Sequence, residues 1–178
     1  MLRFPVVVLA LIVLLAGGLQ GQVGQPYIAE LKQNFGFVKN NLLLLAEKMP
    51  DEHYGFKPAP DIRSFAEGVA HVSDSQARSC SLVNGVNKTV NAESRKTKAD
   101  LLAALKESFT ICDAAFGALT DVGASHMVRL GQSTRERSKL GVLAGVIAHS
   151  NEQYGYLAVY LRLKGIVPPS TEAMNQSR

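Results

Sequence analysis

His149 and Gln153 stand four residues apart in the stretch His149-Ser150-Asn151-Glu152-Gln153-Tyr154-Gly155-Tyr156. Residues so spaced on a helix sit one above the other, so the pair could clasp one metal ion. Imidazole suits zinc-like metals. An amide oxygen is a poorer partner for them and suits harder ions such as manganese or magnesium. The alternative is a pair of polar side chains at a helix edge, each hydrogen-bonded to a neighbour. A second imidazole, His71, follows Val69 and precedes Val72 in Gly68-Val69-Ala70-His71-Val72-Ser73-Asp74. That order puts it on the packing side of its helix. Two inward histidines on two helices make half a metal site: His71 and His149, with Gln153 as third donor. Asp74, one turn after His71, could supply a carboxylate instead. His53 and His126 fall in links and read as surface residues.

Four amphipathic helices are expected to carry these residues. Ile28, Leu31, Phe35, Val38, Leu42, Leu45 and Met49 are spaced alternately 3 and 4, one stripe of a helix between Pro26 and Pro50. A link with three prolines, residues 50–60, follows. Ser64-Phe65-Ala66-Glu67 is a capping box, and Phe65, Val69, Val72, Cys80 and Val83 give the second apolar face. The third helix is expected from about Lys98 to Leu119, capped by Thr97, with Leu101, Leu105, Phe109, Cys112, Phe116 and Leu119 inward. Residues 121–138 read as a long polar connection. The fourth helix is expected from about Ser138 to Lys164, ended by Gly165 and Pro168-Pro169. On it Leu143, Ile147, Tyr154, Leu157 and Leu161 share one side. His149 and Gln153 lie at that side's edge, in a row with Val146, Tyr156 and Tyr160. No strand-like alternation competes. The expected class is all-α, a four-helix bundle.

The N-terminus reads as a secretory signal. Arg3 precedes an unbroken apolar run from Val6 to Ala16, and small residues follow to Gly21. The run is too short to favour a membrane span. The expectation is a signal peptide over residues 1–21, one domain over residues 22–178, and an exported, periplasmic or secreted protein. Removing Arg3 from the 178-residue chain leaves 18 basic against 15 acidic residues, a net charge of +3. The basic residues are scattered, and the tightest group, Arg129, Arg135, Arg137 and Lys139, has no aromatic interleaving. Nucleic-acid binding has no support beyond charge. The only cysteines, Cys80 and Cys112, fall on predicted helices, where free buried thiols are the expectation, although export would permit a bridge.

Several of these stretches together resemble the DinB-like family, in the bundle superfamily of bacillithiol- and mycothiol-dependent transferases. The resemblance rests on Met49 to Pro58, Arg63-Ser64-Phe65, His71 to Gln76, His149 to Gly155, Tyr160-Leu161-Arg162 and Gly165 to Pro169. It spans about residues 27–169. It implies an up-down-down-up bundle holding a divalent metal (Zn, Ni, Mn or Fe) on three histidines. His71 matches the first ligand and His149 the second. The third falls on Gln153, a departure that puts metal affinity in doubt. The implied activity is metal-dependent thiol transfer or hydrolysis on a small molecule, with Glu152 and Tyr156 as candidate supporting groups. The implied assembly is a homodimer. The alternative is a metal-free binding or structural bundle with a degenerate site.

Overall fold

The computed structural model describes residues 26–129 and 134–176. The signal-peptide reading lies outside them. Four long helices dominate: α1 (Pro26–Lys48), α2 (Phe65–Val83), α3 (Lys98–Gly117) and α5 (Lys139–Leu163). Between α3 and α5 come a short α4 (Asp121–Ala124) and two strands, β1 (Met127–Arg129) and β2 (Glu136–Ser138); α6 (Pro169–Gln176) ends the described chain. Among the described residues, no helix is long and apolar enough to cross a membrane.

The helix starts follow from local chemistry. Ser64 Oγ accepts from the Glu67 amide at 3.2 Å, and the Glu67 carboxylate accepts from the Ser64 amide at 2.6 Å. These two bonds occupy backbone donors that the first turn leaves open. Thr97 and Ser138 cap α3 and α5 through their hydroxyls. Gly165 ends the last long helix at φ +72°, the left-handed conformation glycine adopts without strain.

The core is the sum of the predicted stripes. Phe35, Val38, Leu42, Leu45 and Met49 of the first stripe are buried, as are all the residues named for the second and third. Phe35 stacks on Phe116 with ring centroids 3.9 Å apart. The packed pairs are α1 with α3 and α5, and α2 with α3 and α5. Along α1–α3, Lys32 reaches the Gly117 carbonyl, Lys39 pairs with Asp113, and Glu47 with Lys106. Along α2–α3, Gln76 meets Ser108, and Cys80 meets Cys112. Along α2–α5, Gly68 lies against Leu157, and His71 against His149.

Three expectations need correction. Cys80 and Cys112 are not free thiols. Their Cα atoms are 4.9 Å apart and a disulfide joins α2 to α3. Both cysteines were placed on core faces, and the α2–α3 contact brings those faces together at bridging distance. The polar connection is not plain coil: it holds α4 and an antiparallel ribbon pairing Met127 with Ser138 and Arg129 with Glu136. Strands of three residues are too short for a period to show. The chain also resumes as a helix at Pro169, a residue favoured at a first helical position. Tyr154 donates to Ser170 Oγ at 2.8 Å and accepts from the Ser170 amide at 2.9 Å, pinning α6 to α5.

Candidate functional site

His71 projects from the middle of α2 and His149 from the middle of α5. Their Nε2 atoms are 3.1 Å apart, and the rings meet edge to face with centroids 5.0 Å apart. Both are half-buried. Gly68, one turn before His71, packs against Leu157 in the seam between these helices. A Cβ there would stand 2.7 Å from Leu157 Cδ2. Burial lowers the pKa of both imidazoles below the ordinary histidine value, since a charged ring loses hydration. The positive charges of Arg63 and Arg78 push the same way. Glu93 opposes the shift at His71, and Glu152 opposes it at His149. Near neutral pH both rings are therefore uncharged, so one Nε2–H can donate to the other Nε2. A neutral imidazole is also the form that ligates metals.

Gln153 lies one turn beyond His149 and is buried, 8% exposed. It lines a groove of about 760 Å³ with Pro58, Ile62, Arg63, Leu157 and Tyr160. Its amide makes no hydrogen bond to any described residue. The row expected along α5 divides. Val146, Gln153 and Tyr160 are buried, whereas Tyr156 is 56% exposed and donates to Glu152 at 3.0 Å. Glu152 and Tyr156 are thus engaged with each other at the surface.

Asp74 is not available as a substitute ligand. Its two carboxylate oxygens accept from the Ala92 and Glu93 amides at 2.8 and 3.0 Å, tying the α2–α3 link to α2. Among the described residues no group of three His, Cys, Asp or Glu side chains could hold a metal. His53 is half-buried in the proline-rich link and His126 is exposed, both apart from the histidine pair.

Residues 35–157 match the family model described as the DinB superfamily. The chain belongs to that superfamily. A DinB-like protein from Bacillus subtilis is 24% identical, with a TM-score of 0.62 over 76% of this chain and 92% of the other. A DinB-like protein from Bacillus cereus is 15% identical, with a TM-score of 0.68 over 78% and 93% of the two chains. At these identities the likeness speaks for the DinB-like fold alone. No curated protein matches the chain.

Sequence reasoning did not single out Arg63 as a site residue. It precedes the capping box of α2 and lines the Gln153 groove. Its carbonyl accepts from the buried Tyr160 hydroxyl at 2.7 Å. A lone arginine beside a helix cap has no spacing that marks it.

Proposed function

We propose that this DinB superfamily member is an exported protein that binds a divalent cation between His71 and His149 and a small molecule in the adjoining groove. The observation that carries the reading is the convergence of two neutral imidazole nitrogens from different helices. Ligand nitrogens about 2 Å from one metal stand about 3 Å apart, close to the observed 3.1 Å. Two imidazoles and one amide fit a site weaker than three imidazoles, with positions left open. Gln153 would offer its amide oxygen as the third donor. Such a cation would lower the pKa of a thiol or water, the chemistry of a thiol transferase or hydrolase. The protein's own part is to hold both rings uncharged and to line the groove with largely apolar side chains.

The expected up-down-down-up order of the long helices belongs to the same proposal. It is supported by the seams: residue numbers rise together along α2–α3 and run oppositely along α1–α3 and α2–α5. Export is supported by the apolar run from Val6 to Ala16 and by the buried disulfide, which persists in oxidising compartments.

A second reading, a metal-free bundle, is favoured by the engagement of Asp74 with backbone amides. There the histidines only hydrogen-bond each other. Titration of metal-free protein with zinc, nickel, manganese and iron(II) separates the two. Binding by the wild type, lost in both His71→Ala and His149→Ala, supports the metal site. Binding by none of the three overturns it.

A further inference from the structure

Arg63 is a cation without a counter-ion. Among the described residues no carboxylate lies within ion-pair distance of it. Asp61 lines the same groove without pairing to Arg63, and Glu67 is held by Ser64 and Lys57. An unpaired arginine beside a concave surface is a ready partner for an oxyanion, because its planar fork of N–H donors matches one. Its backbone is fixed by Tyr160, which is 6% exposed and packs its ring against Phe56 and Phe65. The groove beside it is otherwise largely apolar, walled by Pro58, Ile62, Leu157 and Val159. At about 760 Å³ it falls within the range of small-molecule sites. Gln153 in the groove wall adds amide donors and an acceptor with no protein partner among the described residues. Arg63 is exposed and hydrated, so an oxyanion gains a charged pair there that a neutral polar or apolar occupant does not.

We infer that the groove takes a small amphiphile, an apolar body with one oxyanion head, and that Arg63 binds the head. This names the substrate class for the small-molecule site proposed above and rests on that reading.

The test is calorimetry on protein kept metal-free with EDTA, using octanoate, octyl phosphate and 1-octanol as probes. The expected result is binding of an anionic probe at least tenfold tighter than of 1-octanol, and whichever anion binds more tightly identifies the head group. Arg63→Gln should remove that preference and Arg63→Lys should keep part of it. Lys106→Gln removes a charge from the α1–α3 seam, away from the groove, and should change nothing. Equal binding of 1-octanol, no binding of either anion, or an equal loss in Lys106→Gln would overturn the inference. His71→Ala separates the two claims: it should abolish zinc binding and leave the anionic probe bound. Loss of zinc binding alone leaves the amphiphile site standing, and loss of probe binding alone leaves the metal site standing.

Discussion

His71 Nε2 and His149 Nε2 face each other at 3.1 Å, although 78 residues separate them in the chain. The α2–α5 contact makes the pair, and Gly68 packs against Leu157 within that contact.

The role of Gly68 is open to a double-mutant cycle. Gly68→Ala places a methyl 2.7 Å from Leu157 Cδ2. Overpacking of this kind costs about 1–3 kcal/mol, offset in part by the better helix propensity of alanine. Leu157→Ala alone should cost about 2–5 kcal/mol. Denaturant unfolding of the double variant should show less than the sum of the single losses. Strict additivity would mean that the two positions do not constrain each other.

In the proposed metal site, position 153 supplies the third donor and should set the affinity. Gln153→His adds a third imidazole one turn from His149 and should tighten zinc binding by at least tenfold, about 1.4 kcal/mol. Unchanged affinity by calorimetry would mean that residue 153 does not reach a metal on His149.

The histidine pair makes stability depend on pH in a set direction. Both folded pKa values lie below the ordinary value of 6.5. The unfolded chain therefore binds more protons in that window, and stability rises with pH through it. The contribution is complete above about pH 6.5 and is lost as pH falls through the lower folded values. Replacing both histidines with asparagine should flatten the profile there. An unaltered slope in the double variant would assign it to other groups.

The disulfide is a staple between α2 and α3. It closes a loop with a sequence separation of 32, for which chain entropy gives roughly 3–4 kcal/mol. Cys80→Ala with Cys112→Ala should lower unfolding stability by about that amount while the fold persists. Thiol counting on unreduced protein, which should find none, tests the bridge itself.

The long elements were legible because their stripes run for many turns. The caps at Ser64, Thr97 and Ser138 set their starts, and the Pro50 and Gly165 signals set two of their ends. The short elements were not. The ribbon holds together by pairing Met127 with Ser138 across a connection, and α6 by the Tyr154–Ser170 bonds. Neither interaction leaves a local period. At the candidate site, residue types placed His71, His149 and Gln153 on the inner side of their helices. They could not show that Asp74 turns away to the Ala92 and Glu93 amides. Nor could they show that Arg63 stands at the groove without a partner, because ion pairing is a tertiary property.

The central claim is that His71 and His149 hold a metal. Its most direct test is the metal content of the protein, residues 22–178, purified untagged from its native compartment beside His71→Ala and His149→Ala. The account predicts roughly one divalent ion per chain in the wild type and none in either variant. Wild-type protein that is folded and metal-free, indistinguishable in metal content from both variants, would contradict it.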